Sequence, residues 1–252
     1  MYNPFDFTEK KYIVTGSTSG IGRSLAGLLA VQGAEIHLIG RNEEKLAEVL
    51  KELSGEGHRC SVADLGTETD YTRIFDEVVS DGKKADGIVY CAAVADVEPL
   101  RSITDARLYD SMKLNLFSFI GMVRAFSKKK YHSENSAIVG ISSTSAIYPD
   151  KGNAIYSATK AAMNAAVQAL ARELCDKGIR INTIMPACVD TRMLQEADEE
   201  CRQMGLEAVH NRQLLGVSKP EEIAQVIMFL LSDASGVITG RAIFADGGDL
   251  NF

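Results

Sequence analysis

The chain has 252 residues, 46% of them apolar, and a formal net charge of −7. That length permits one large α/β domain or two small ones. The acidic balance excludes an electrostatic footprint for nucleic acid, and the one basic cluster, Lys128-Lys129-Lys130, reads as a solvated helix end. No apolar run reaches the length of a membrane span, and the N-terminus Met-Tyr-Asn-Pro-Phe-Asp lacks the basic-plus-apolar pattern of an export signal. The five cysteines, Cys60, Cys91, Cys175, Cys188 and Cys201, show no Cys-x-x-Cys spacing and read as free buried thiols rather than disulfides or metal ligands. The expectation is a soluble, cytoplasmic protein with no nucleic acid, membrane or metal among its partners.

In chain order, short β-branched runs alternate with longer helical patterns. Strands are expected over residues 11–15, 35–39, 59–62, 87–91, 137–141, 180–184 and 242–245. Helices are expected over about 21–32, 43–53, 70–79, 105–129, 154–175 and 220–231. Several strands are nearly continuous apolar runs, as parallel strands covered on both faces require. The alternation predicts a Rossmann-type, doubly wound α/β fold, a seven-stranded parallel sheet with helices on both faces. With no linker-like stretch and no repeat, residues 1–252 read as a single domain. Only residues 189–216 break the rhythm. They are polar, mixed and weakly helical around 194–206, as a lid over a rigid sheet would be.

Directly after the first strand comes Thr15-Gly16-Ser17-Thr18-Ser19-Gly20-Ile21-Gly22, and then an amphipathic helix with Leu25, Leu28 and Leu29 on its apolar side. Glycines here let the backbone turn tightly and approach a pyrophosphate, which the helix N-terminus then meets with unpaired N–H groups. Further on, Tyr156 and Lys160 lie four apart in an alanine-rich run, hence one helical turn apart on one face. A phenol has an ordinary pKa of about 10, and a fixed ammonium beside it favours the phenolate. Ser143 falls at the end of the fifth strand, where ligands of open α/β sheets gather, with Ser142 as its adjacent competitor. Asn115 is a polar amide within an apolar helical stretch and needs partners if buried.

The order Thr-Gly-x-x-x-Gly-x-Gly, then Tyr-x-x-x-Lys, resembles the short-chain dehydrogenase/reductase family, from about Lys10 to Gly248. The resemblance implies an oxidoreductase that transfers hydride between a nicotinamide and a ketone or secondary alcohol. It implies that Ser143 hydrogen-bonds the substrate oxygen and that Tyr156 exchanges a proton with it. Lys160 would lower the Tyr156 pKa and hold the nicotinamide ribose. Asn115 would hold a helix distortion and complete a proton relay. Gly16, Ser17, Thr18, Ser19, Gly20, Ile21 and Gly22 would cradle the cofactor, Asp64 and Leu65 the adenine, and Pro186, Val189 and Thr191 the nicotinamide side. The closing Asp246-Gly247-Gly248 matches the family as well.

The second strand ends in Gly40-Arg41-Asn42, with no carboxylate where NAD enzymes hold ribose hydroxyls. Arg41 can pair with the extra phosphate of NADP, so NADP(H) is expected over NAD(H), although Ser19 stands where many NADP members carry a second basic residue. The fourth strand ends Tyr90-Cys91-Ala92-Ala93 where the family has Asn-Asn-Ala-Gly, and Ala187 replaces the glycine after Pro186. Cys91, Ala92 and Ala93 are still expected at the cofactor, with Cys91 unable to form the asparagine's inter-strand bonds. The relatives implied are 3-oxoacyl-[acyl-carrier-protein] reductase-like, with sugar, steroid or polyketide-type ketones equally compatible. A dinucleotide-binding sensor or scaffold without catalysis is the alternative. Pairing of the helices carrying Asn115 and Tyr156 into a homodimer or homotetramer is implied by the same resemblance.

Overall fold

The structure is a computed structural model and describes residues 2–191, 194 and 212–249. Seven parallel strands form one sheet, β1 (Lys11–Thr15), β2 (Glu35–Gly40), β3 (Arg59–Val62), β4 (Ala85–Tyr90), β5 (His132–Ile141), β6 (Ile179–Pro186) and β7 (Ala242–Ala245). Their order is β3-β2-β1-β4-β5-β6-β7. The order reverses between β1 and β4, so the crossovers leave from these two strands to opposite faces. A crevice opens at their carboxyl ends. Thr15 is in register with Ile39 of β2 and Tyr90 of β4, which sets the floor of that crevice.

The helices divide between the two faces because strand side chains alternate. Ile13, Ile88, Ile138 and Ile181 pack on one face, under α3 (Tyr71–Val78), α5 (Ser118–Phe126) and α6 (Ala154–Leu174). Tyr12, Val14, Val89 and Val139 pack on the other, under α1 (Gly20–Val31), α2 (Glu43–Glu52) and α7 (Pro220–Leu231). This double burial is what the continuous apolar strand pattern requires.

The strand expectations hold to within a few residues. The main difference is β5, which begins at His132, five positions before the apolar run, and takes a register shift opposite β4 near Ala85. The helix expected over 105–129 is interrupted. α4 (Asp105–Met112) passes into a π turn at Lys113–Phe117 and then α5. The expected helix around 194–206, and most of the lid, lie outside the described residues. Cys60, Cys91, Cys175 and Cys188 are free thiols, but Cys175 is exposed and the other three are only partly buried. Cys201 lies outside the described residues. No described helix is long and apolar enough to cross a membrane.

One buried group gives the fold a pH dependence. His37 on β2 hydrogen-bonds Ser61 (2.8 Å), whose hydroxyl donates to Glu77 (2.6 Å). Burial, with help from nearby Lys11, pushes its pKa down to about 4. Between pH 6.5 and about 4 the unfolded chain therefore takes a proton that the folded chain refuses. The stability contributed by neutral His37 is complete above pH 6.5 and is lost as pH falls through that window, to a total of roughly 3 kcal/mol. Urea unfolding at pH 7 and pH 5 should show the wild type losing roughly 2 kcal/mol more than His37→Gln. Equal losses in the two proteins would contradict this account.

Candidate active site

The crevice is a cleft of about 760 Å³. Its narrow end is built from backbone. Gly16 ends β1 with φ +61°, and a Cβ there would stand 2.8 Å from the Ala92 nitrogen. Gly22 lies so close to the same turn that a Cβ would come within 2.5 Å of the Gly16 oxygen. Only glycine satisfies both approaches. Thr18, Ser19, Gly20 and Ile21 complete this wall, and α1 starts there with no side-chain cap on its first N–H groups. These donors and the helix dipole favour a phosphate. Ser17, expected at the cofactor, is instead fully buried below the turn, where its hydroxyl donates to the Ile39 oxygen (3.4 Å).

Arg41 lies on the same wall at the end of β2, exposed and without an ion-pair partner among the described residues. Its neighbour Asn42 caps α2 by accepting from the Lys45 N–H (2.9 Å), which fixes where the arginine leaves the backbone. Asp64 and Leu65 also line the cleft. Asp64 does not cap α3; Asp70 does, accepting from the Thr72 N–H (3.0 Å). The Asp64 carboxylate accepts from the Gly66 N–H (2.9 Å), which holds it at the cleft edge.

At the end of β4, Cys91, Ala92 and Ala93 all reach the wall. A side chain of the neighbouring strand holds the backbone here. Thr15 Oγ1 accepts from the backbone N–H of both Cys91 (3.1 Å) and Ala92 (3.2 Å). The next loop is fastened by Asn115, whose amide accepts from the Val94 N–H (2.9 Å) and donates to the Val94 oxygen (2.9 Å). Asn115 sits in the π turn, fully buried and behind the cleft wall rather than on it. It also donates to Thr159 (3.1 Å), whose hydroxyl donates to the Tyr156 oxygen (2.7 Å). The π turn thus ties the β4 loop to the backbone of α6.

Ser142, Ser143, Tyr156 and Lys160 meet in the middle of the cleft. The Ser142 hydroxyl donates to the Lys160 oxygen (3.3 Å), while Ser143 accepts from the Ser145 N–H (3.1 Å) and hydrogen-bonds the Tyr156 phenol. Ser143, not Ser142, is therefore the hydroxyl beside the phenol. Lys160 is buried, its ammonium 5.5 Å from the Tyr156 ring centroid and donating to the Ile141 oxygen (2.7 Å).

The electrostatics correct one expectation. Lys160 was expected to pull the Tyr156 pKa down. Burial instead raises the phenol, and the opposing influence is the Ser143 hydrogen bond. Lys160 is not among the groups that shift the phenol; burial brings its own pKa down to about 8, and its ammonium donates to a strand-end carbonyl. The Cys91 thiol, also in this cluster, is pushed up to about 12 by burial and is neutral. Beyond these groups the cleft continues along Val97, Ser145, Asp150, Asn153, Cys188 and Arg212, with Pro186, Val189 and Thr191 on the facing wall. No cluster of three or more metal-ligating side chains occurs among the described residues. Thr15, Thr159 and Arg212 carried no motif signal, although Thr15 opens the glycine motif and Thr159 lies within Tyr-x-x-x-Lys.

Comparison with known proteins agrees with this geometry. A family model described as enoyl-(acyl carrier protein) reductase matches residues 16–249. The chain is 31% identical over 243 residues to 3-oxoacyl-[acyl-carrier-protein] reductase FabG of Chlamydia trachomatis, covering 95% of this chain and 97% of that protein. It is 27% identical to L-xylulose reductase of Caenorhabditis elegans, covering 98% of each. Among solved structures, a 3-oxoacyl (acyl-carrier-protein) reductase from Agrobacterium tumefaciens with NADP bound superimposes with a TM-score of 0.86, at 27% identity and 98% coverage of each chain. The chain belongs to the short-chain dehydrogenase/reductase family, an oxidoreductase family that uses nicotinamide cofactors.

Proposed function

We propose that this protein is an NADP(H)-dependent reductase of ketones, acting as one domain with Tyr156 as its proton donor. The observation that carries the reading is the meeting of Ser143, Tyr156 and Lys160 in the cleft whose other end is the open N-terminus of α1. The residues present fit a dinucleotide. The glycine turn leaves room where any Cβ would intrude, and Arg41 is a free cation among the described residues at the adenosine end. When bound, the nicotinamide supplies or accepts the hydride.

The chain's own groups do the rest. Ser143 orients the substrate carbonyl by donating to its oxygen. Tyr156 gives its proton to the same oxygen as negative charge develops there. Lys160 holds the nicotinamide ribose, and Asn115 keeps the β4 loop and α6 in register behind it. Pro186, Val189 and Thr191 close the opposite side.

The substrate class supported best is a 3-oxoacyl thioester or a small polar ketone, since the relatives include both an acyl-carrier-protein reductase and a sugar reductase. We place the protein in the cytoplasm. The outer stripe of α6, with Ala158, Ala161, Ala165 and Ala169 exposed, lies on the helix that packs against α4. Leu108, Tyr109 and Phe117 are exposed on the neighbouring α4 and π turn. An apolar, close-packing surface of this kind supports a homodimer or homotetramer through these helices.

Three measurements check the proposal. With a panel of ketones and NADPH, Tyr156→Phe should lose about 10²- to 10⁴-fold in kcat while cofactor affinity stays within about threefold. Near-wild-type turnover in that variant would sink the mechanism, and tight NADPH binding by a wild type with no turnover on any ketone would favour a sensor. Arg41→Glu places a carboxylate against the ribose phosphate, so KM for NADPH should rise at least about tenfold while KM for NADH hardly moves. A wild type that prefers NADH would overturn the cofactor assignment. Light scattering should give two or four times the 27.3 kDa chain mass, and a monomer would remove the assembly.

A further inference from the structure

The Pro186–Thr191 stretch forms the wall that faces the glycine turn, yet it has no strand or helix of its own. Thr191 closes on Gly20 so nearly that a Cβ on the glycine would stand 3.1 Å from the threonine methyl. One side chain from elsewhere in the sequence holds both backbone groups of a residue in this wall. Gln213 is 3% exposed. Its amide oxygen accepts from the Cys188 N–H (3.2 Å), and its amide nitrogen donates to the Cys188 oxygen (3.4 Å) and to Ser218 Oγ (3.2 Å). One side chain therefore satisfies both backbone groups of a cleft-lining residue, as a paired strand would.

The same short stretch is anchored on the other sides. Ser218 bridges to Val189, with Ser218 N–H donating to the Cys188 oxygen (3.1 Å) and Asp190 N–H donating to the Ser218 oxygen (2.9 Å). Gln213 itself bridges to Asp249, and Leu215 N–H donates to the Gly247 oxygen (2.9 Å). Next to it, the Arg212 guanidinium meets both oxygens of Asp150 at 3.2 Å, on the loop that leads into the helix of Tyr156. The amide is thus the point through which the β6-end wall is fixed relative to the reacting tyrosine.

We propose that Gln213 is a positioning residue, setting the Cys188–Thr191 wall at the distance from the glycine turn at which a dinucleotide is gripped and its reacting end faces Tyr156. This rests on the oxidoreductase reading above. Gln213 touches neither substrate nor cofactor and acts through the Cys188 backbone. The amide suits the position because it combines an acceptor for the N–H with a donor for the carbonyl; a carboxylate would set negative charge against that carbonyl oxygen, and an apolar group would leave the Cys188 N–H unpaired and its carbonyl with the Ser218 N–H alone.

The test is calorimetric binding of NADP+ and NAD+ to the full chain, with kcat and KM on the best ketone. Gln213→Leu should weaken the Kd of whichever dinucleotide the wild type binds by about tenfold or more, with KM for the cofactor rising more than kcat falls. Gln213→Glu supplies a readout that a merely structural side chain would not move. At pH 8.5 it should bind as poorly as Gln213→Leu. Near pH 5.5 the protonated acid can again accept from Cys188 N–H and donate to its carbonyl, and affinity should return to within about threefold of wild type. The charged groups around the position, Arg212, Asp190, Asp246 and Asp249, are the same in the wild type, so the ratio to wild type at each pH isolates the introduced carboxyl. If Gln213→Leu does not fold, the pH series on Gln213→Glu still decides. A Gln213→Glu variant equal to wild type at pH 8.5, or one not rescued at pH 5.5, overturns the clamp alone. A wild type that binds neither dinucleotide overturns the clamp and the oxidoreductase reading together.

Discussion

The whole site depends on the close approach of three stretches of backbone where the sheet reverses its order. Gly16 just after β1, Cys91 and Ala92 just after β4, and the start of α1 at Gly20 come together within a few ångströms. Side chains at Gly16 or Gly22 would push these segments apart by intruding on backbone atoms, which cannot swing aside as a flexible side chain can. Because the contact is backbone to backbone, the bare N-terminus of α1 is aimed along the ends of the strands. The catalytic side chains of β5 and α6 then lie on the same floor. The sheet register between β1 and β4 transmits this placement to every strand beyond.

One bond at the end of β4 does not depend on the side chains that depart from the family pattern. Thr15 sits in register with Tyr90 and turns its hydroxyl to the next two N–H groups of the neighbouring strand. That bond is made to backbone, so it is indifferent to whether Cys91 or an asparagine occupies the position. The thiol adds a neutral, desolvated neighbour to Lys160. A cation in such surroundings is more easily deprotonated and is steadied by a carbonyl rather than a carboxylate.

Much of the fold was legible because two periodicities carry it. Continuous apolar strands and 3.6-residue helices recur in strict alternation, and the glycine turn falls where strand gives way to helix. Ser143, Tyr156 and Lys160 were legible because their spacing survives on regular elements, a strand end and one turn of α6. The early start of β5 was not, since His132–Ser136 is polar and its pairing is imposed by the neighbouring strands. The burial of Ser17 was hidden because a motif position does not reveal which way a turn residue points. The pKa direction of Tyr156 also lay beyond sequence, because four-residue spacing places Lys160 nearby but does not reveal how deeply the phenol is buried.

Asn115 and Gln213 show why a site on a rigid sheet still needs amides. Strand ends β4 and β6 both release into loops that must line the cleft, and a loop facing a ligand leaves its backbone groups without a strand partner on the other side. In each case a buried amide from a distant segment takes both groups of one loop residue, Val94 for Asn115 and Cys188 for Gln213. An amide is the only uncharged side chain with a donor and an acceptor side by side at the spacing of a peptide group. A charged residue could not do this without stranding its charge, and a hydroxyl is too short to bridge both atoms. The two clamps differ in what supports them. Asn115 stands on a π turn, whose extra residue rotates it inward, and its pull reaches Tyr156 through Thr159. Gln213 stands on a short bridged segment, beside an arginine that pairs with Asp150 on the loop preceding α6. Asn115 is therefore the clamp tied to the helix of Tyr156, while Gln213 holds the facing wall, and each acts on loop backbone rather than through contacts of the phenol itself.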